Sequence, residues 1–234
     1  MADRRRILVV DDEAELRRLL AWILTDFGND VETAADGEEA LRRLPQLPPP
    51  DLVILDILMP RVDGWAVLGA LAEMPVRPPV LVLTGLVDYP TFLRAVREGA
   101  AAFMVKPFRF QDLVAVCQRL LSTVNEPPAH ERRAEARRFL ILDVDLLSAE
   151  GAPLARGDLV NLSARGARVD LGVPLPAGDR VRLAVNVPGQ ARPFRLEATV
   201  QWQKPGNAGA FAHGVRFDAV GPDEERFLAE ILKR

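Results

Sequence analysis

Leu52-Val53-Ile54-Leu55-Asp56-Ile57-Leu58-Met59-Pro60, followed closely by Asp63-Gly64, decides how the first half of this chain folds. Four apolar residues run straight into a carboxylate. An unbroken apolar run of this kind predicts a strand buried on both faces, as in parallel sheets. Pro60 has no N–H to give to a ladder, so the strand ends before it. Asp56 then sits at the carboxyl end of a central strand, the edge at which open α/β sheets bind ligands. A carboxylate placed there is a ligand, a nucleophile or an ordinary loop cap, and its neighbours decide which.

Working outward, similar runs recur. Ile7–Val10 ends in Asp11-Asp12, Val31–Ala34 alternates, Val80–Leu83 ends in Thr84, and Ala102–Val105 ends in Lys106-Pro107. Between them lie segments of helical period. Leu16, Leu19, Leu20, Ile23 and Leu24 recur at threes and fours between Glu13 and Phe27, with Gly28 placed to end that helix. Further helices are predicted from Asp36-Gly37, Gly64, Pro90 and Phe110. Strands alternating with helices in this way predict an α/β domain, a doubly wound five-stranded parallel sheet, over residues 1–123.

In a parallel sheet the carboxyl ends of the strands share one edge. Asp11, Asp12, Asp56, Thr84 and Lys106 are therefore expected to converge. Packed carboxylates repel one another, and a divalent cation relieves the repulsion; Mg²⁺ suits all-oxygen ligands. A carboxylate beside such a cation can accept a phosphoryl group. The Lys106 ammonium would neutralise charge developing on the phosphoryl oxygens, and the Thr84 hydroxyl could donate to one of them.

Composition narrows the rest. The chain has 234 residues, 49% hydrophobic and 27% charged, which suits one large or two small globular domains. No apolar run is long enough to span a bilayer. The run Ile7–Val10 is too short for a signal-peptide core, and the single cysteine, Cys117, can form no internal disulfide, so a cytoplasmic location is expected. A net charge of -3 predicts no general affinity for nucleic acid.

Residues 124–131, with Asn125-Glu126-Pro127-Pro128-Ala129-His130, read as a linker, and the pattern changes after them. Residues 132–234 show short alternating runs at 140–147, 158–161, 166–170, 180–187, 194–203 and 212–217. Gly151, Gly157, Gly178, Gly189 and Gly206 read as the punctuation between them, and a helix from Asp223 to Lys233 closes the chain. Six short strands at this spacing predict a small six-stranded β-barrel with a C-terminal helix. Arg132, Arg133, Arg137 and Arg138 lie just before it, and Asn161-Leu162-Ser163-Ala164-Arg165-Gly166 within it. Alone, the first is a solvated charge run and the second a turn. Yet arginine forks suit phosphate bidentately and stack on bases, and Gly166 permits a close backbone approach.

Two resemblances follow from these residues. With Asp11-Asp12, Asp56-x-x-Met59-Pro60-x-x-Asp63-Gly64, Thr84 and Phe103-x-x-Lys106-Pro107, residues 5–122 resemble the receiver domain of two-component response regulators. The resemblance implies that Asp56 is the phosphoacceptor of a bacterial phosphorelay, fed by a sensor histidine kinase. Asp12, Asp56 and the Leu58 backbone carbonyl would bind Mg²⁺ directly, and Asp11 through water. Thr84 and Phe103 would form the switch pair. Leu58 and Leu86, two places past Asp56 and Thr84, would line the route of water to the phosphoryl group, and their apolar side chains predict slow self-dephosphorylation.

With Arg133-x-x-x-Arg137 and Asn161-x-Ser163-x-x-Gly166, residues 130–232 resemble the PilZ family, which binds the second messenger cyclic di-GMP. This implies a nucleotide site made of Arg132, Arg133, Arg137, Asn161, Ser163 and Gly166, with the arginine segment folding over the ligand. Nothing after the receiver-like segment reads as a DNA-binding helix-turn-helix. The expected function is a two-input regulator, phosphorylated on Asp56 and sensing cyclic di-GMP, which controls a downstream protein in motility, surface behaviour or exopolysaccharide production. A homodimer through the face of the fourth helix, fifth strand and fifth helix is the expected assembly. The alternative is a phospho-regulated scaffold whose PilZ-like domain binds a protein and no nucleotide. Apart from receiver self-phosphorylation and dephosphorylation, no residue set suggests an enzyme.

Overall fold

A computed structural model of the chain describes residues 4–45, 48–86, 88–123, 138–148, 150–206 and 209–233. It divides into two compact units, Met1–Val87 with Arg94–Ala129, and His130–Arg234 with Asp88–Leu93. The expected linker, 124–131, and the side chains of Arg132, Arg133 and Arg137 lie outside the described residues.

The first unit is built on β1 (Arg6–Val10), β2 (Asp30–Ala34), β3 (Leu52–Asp56), β4 (Val80–Thr84) and β5 (Ala102–Val105). They are parallel, in the order β2-β1-β3-β4-β5. Helices α1 (Ala14–Asp26), α2 (Gly37–Arg43), α3 (Gly64–Ala72), α4 (Tyr89–Arg97) and α5 (Phe110–Thr123) connect or follow the strands. All five residues of β3 are buried, as its apolar run predicts for a strand covered on both faces. Leu8, Val10, Val53, Leu55, Val80 and Val82 share one core cluster with Val67, Leu68 and Leu71 of α3. The alternate strand residues Ile7, Val9, Ile54, Leu81 and Leu83 are equally buried. Successive side chains point to opposite faces of a sheet, so these cover the second face, where α1 packs on β1 and β2 and α5 on β3.

Among the described residues, aspartates fix three helix starts; before α4, Asp88 accepts from Thr91 N at 2.8 Å. Asp63 caps α3, its carboxylate accepting from Ala66 N at 3.1 Å. Asp36 caps α2, accepting from Glu39 N at 2.7 Å, while the Glu39 carboxylate reaches back to accept from Ala35 N at 2.7 Å. That reciprocal arrangement closely resembles a capping box.

The second unit is a closed antiparallel barrel of β6 (Arg138–Leu147), β7 (Pro153–Ser163), β8 (Gly166–Leu171), β9 (Arg180–Val185), β10 (Phe194–Pro205) and β11 (Phe211–Ala219). The order is β6-β7-β8-β11-β10-β9, and β9 pairs back with β6. Val144, Leu159, Val169, Leu183, Leu196 and Val215 are among its buried residues. Helix α6 (Pro222–Leu232) packs against β7 and β10, with Phe227 stacked on Phe194 at 4.1 Å between ring centroids.

One expectation is corrected. Gly157 is no punctuation between strands; it lies inside β7, which begins five residues earlier than the sequence pattern suggested. A Cβ at Gly157 would stand 2.1 Å from the carbonyl oxygen of Asp170 on β8. The glycine serves a close approach of strands, and in sequence that demand looks the same as a turn.

Candidate functional site

The carboxyl edge of the first sheet brings together the residues that the strand ends predicted. Asp56 is the last residue of β3, Asp11 follows β1, Thr84 ends β4, and Lys106 follows β5. Asp11 and Asp56 are buried, at 1% and 4% exposure, whereas Asp12 is exposed. Lys106 Nζ donates to Asp56 Oδ2 at 2.6 Å, to Asp11 Oδ2 at 2.8 Å and to Glu13 Oε1 at 3.0 Å. Leu58 N donates to the other Asp56 oxygen at 2.9 Å, so both carboxylate oxygens of Asp56 are oriented.

Carboxylate oxygens of Asp11, Asp12 and Asp56 lie within 4.8 Å of one another. An all-oxygen donor set of this charge fits a hard divalent cation such as Mg²⁺. The electrostatics agree. Burial raises the Asp11 carboxyl above its ordinary value, and the Asp56 charge adds to that, against the lowering effect of the Lys106 hydrogen bond. For Lys106, burial works against the charged form, but hydrogen bonds to Asp11, Asp56 and Glu13 outweigh it and push its pKa up. The ammonium is therefore held protonated.

Thr84 is fully buried, and its hydroxyl oxygen accepts from Leu86 N at 3.1 Å. Phe103 is half-buried and packs on the core cluster that includes α3. Leu58 is 51% exposed and Leu86 half-buried. Cys117 is buried in α5, and burial pushes its thiol up to about 12, which suits a packing residue.

Glu13 escaped the sequence reasoning, which assigned it to a helix start. It stands at the N-cap of α1, yet its side chain makes no capping bond and turns to Lys106 instead. The acidic run Asp11-Asp12-Glu13 was the available signal. Gly64, where the sequence predicts a helix start, also meets a packing demand: a Cβ there would lie 2.2 Å from the Asp56 carbonyl oxygen. It lets α3 start against the backbone of Asp56.

In the barrel, Asn161 and Ser163 lie on β7 and Gly166 opens β8, across the two-residue turn Ala164-Arg165. Ser163 is buried, and its hydroxyl donates to Gly166 O at 3.0 Å. Asn161 Oδ1 accepts from Arg168 N at 3.1 Å. A Cβ at Gly166 would lie 2.2 Å from Val215 O of β11, so this glycine does mark a close approach. The three motif residues are brought together on one hairpin, and the arginines that would complete the site lie outside the described residues.

Family models match both halves of the chain. Residues 7–118 match the response regulator receiver domain, which defines the first half as a receiver of the two-component type. Residues 131–234 match the PilZ domain. The chain thus belongs with response regulators, as a receiver domain fused to a PilZ domain.

It is 41% identical over 125 residues to a probable transcriptional regulator ycf27 of Cyanophora paradoxa, covering 53% of this chain and 52% of the relative. Against the transcriptional regulatory protein TrcR of Mycobacterium tuberculosis it is 39% identical over 128 residues, covering 54% of this chain and 49% of the relative. The chain spans about half the length of the curated relatives it matches. A two-component response regulator from Clostridium difficile superposes with a TM-score of 0.50 at 23% identity, over 53% of this chain and 100% of that one, a likeness of fold alone. No helix among the described residues is long and apolar enough to cross a membrane.

Proposed function

We propose that this protein is a cytoplasmic two-input response regulator, phosphorylated on Asp56 by a sensor histidine kinase and binding cyclic di-GMP through its PilZ domain. The convergence of Lys106, Asp11 and Asp56 at one strand edge carries the first half of this reading. The Asp56 carboxylate attacks phosphorus, the bond to the donor's nitrogen breaks, and an acyl phosphate remains on Asp56. Lys106 holds its ammonium where the phosphoryl oxygens arrive, and Thr84 brings its hydroxyl from the neighbouring strand. A divalent cation held by Asp11, Asp12, Asp56 and the Leu58 carbonyl would neutralise further charge. Phe103 and Thr84 would form the switch pair. No other enzymatic activity is proposed.

The proposed division is residues 1–123 for the receiver, 124–131 for the linker and 132–234 for the PilZ domain. The proposed nucleotide site combines Arg132, Arg133 and Arg137 with Asn161, Ser163 and Gly166. The output would be a changed grip on a protein partner, without DNA binding, and the face of α4, β5 and α5 is the proposed homodimer contact. The transcriptional roles named for TrcR and the ycf27 protein belong to those proteins.

One observation favours a second reading. The Ser163 hydroxyl and the Asn161 carbonyl already hold the β7–β8 hairpin. A scaffold that binds a protein and no nucleotide would use them just so. Calorimetry with cyclic di-GMP separates the readings. Saturable binding that Arg133→Ala weakens by 10-fold or more, roughly the loss of one charge-assisted bidentate contact, supports the nucleotide sensor. No heat of binding to the wild type supports the scaffold.

A further inference from the structure

Arg61 has φ +68°, the one non-glycine residue with positive φ among those described. A left-handed backbone at a long side chain is uncommon and calls for something that holds it. Arg61 lies in the loop between β3 and α3, five residues past Asp56 and three past Leu58. Its guanidinium forms an ion pair with Asp36, the N-cap of α2. The post it grips is rigid, since Asp36 accepts from Glu39 N and Glu39 accepts from Ala35 N. Beside it the backbones touch closely: a Cβ at Gly37 would stand 2.4 Å from Val62 O. At the other end of the loop, Gly64 N donates to Ile57 O at 3.0 Å. The segment that carries the Leu58 carbonyl is thus clamped at both ends.

We propose that the Asp36–Arg61 ion pair is a positioning device for the cation site, holding the β3–α3 loop so that the Leu58 carbonyl faces the ion. This rests on the reading of Asp11, Asp12 and Asp56 as a divalent-cation site. The Arg61 side chain is 65% exposed, so the pair contributes little to global stability. Its effect is on the geometry of a ligand-bearing loop, in the way that outer partners orient metal ligands.

Glycine at position 61 separates side chain from backbone. Arg61→Gly suits a positive φ but removes the ion pair, and Asp36→Asn removes the charge while keeping a good N-cap. The test is calorimetric titration of the full chain with MgCl₂, together with thermal unfolding of each variant. The expected result is that Arg61→Gly and Asp36→Asn each weaken Mg²⁺ by roughly 10-fold, and that the double variant is no weaker than either single one. Arg61→Lys is expected to recover part of the loss, with unfolding temperatures close to wild type throughout. Arg61→Gly binding Mg²⁺ as tightly as wild type would overturn the proposal, as would additive losses in the double variant. If the wild type takes up no Mg²⁺, or binds it as well after Asp12→Asn, the cation reading itself falls and the proposal with it.

Discussion

At the residue scale, environment separates groups that look alike in sequence. Asp11 and Asp12 are adjacent, yet one is buried against Lys106 and the other faces solvent. Leu58, 51% exposed, and Leu86, half-buried, stand two places past Asp56 and Thr84, where the resemblance to receivers implies that side chains line the route of water. A phosphoryl half-life of minutes or longer is therefore expected in purified protein with Mg²⁺, measured after labelling with a small phosphodonor; a half-life of seconds would remove the apolar screen as an explanation.

His213 offers a second test. It is fully buried on β11, and its Nε2 accepts from Leu175 N at 3.1 Å, which leaves the neutral ring's proton on Nδ1. Burial lowers its pKa below 6.5, against the raising effects of the Val169 and Phe211 carbonyls and the Asp170 charge. The unfolded chain therefore takes up the proton first as pH falls. Stability contributed by the neutral ring is complete above about pH 6.5 and is lost as pH drops from there through the folded pKa, by at most about 1.4 kcal/mol per unit of depression. Denaturant unfolding at pH 7.5 and 5.5 should show this slope, and His213→Gln should flatten it.

At the element scale, the two halves illustrate two kinds of pattern. The fully buried β3 and β4 were legible because parallel strands covered on both faces read as apolar runs, here broken only by Asp56 and Thr84 at their ends. The barrel strands alternate, so their existence was legible but their ends were not. β7 starts at Pro153, where exposed residues continue a ladder that hydrophobicity does not mark. The cross-strand demand at Gly157 belongs to this scale. Gly157→Ala forces a methyl against Asp170 O, and a loss of roughly 1–3 kcal/mol is expected in the unfolding of the barrel. Gly178→Ala, whose Cβ would meet nothing within 4 Å but whose φ is +97°, should cost through the backbone alone and by less. Equal stability of wild type and Gly157→Ala would mean that the strands part at little cost.

At the scale of the whole molecule, the chain carries a receiver domain and a PilZ domain, and the proposed function gives each of them an input. If phosphorylation on Asp56 and nucleotide binding are coupled, each must change the other's free energy by the same amount. The affinity for cyclic di-GMP should then shift by roughly 5-fold or more in the presence of beryllofluoride and Mg²⁺. Identical affinities with and without the phosphoryl mimic would establish independent domains.

By itself the sequence determined the α/β receiver, the six-stranded barrel with its closing helix, and the strand-end residues of the candidate phosphoacceptor site. The reason is local: strand period, turn residues and the common edge of a parallel sheet dictate where Asp11, Asp56, Thr84 and Lys106 must lie. Tertiary structure decided what no local pattern encodes. It turned Glu13 from its helix start to Lys106, demanded glycine at positions 64 and 157 for close backbone contacts, and paired Arg61 with Asp36, 25 residues apart in sequence. Each of these depends on the distance between segments remote in the chain, and only packing sets that distance.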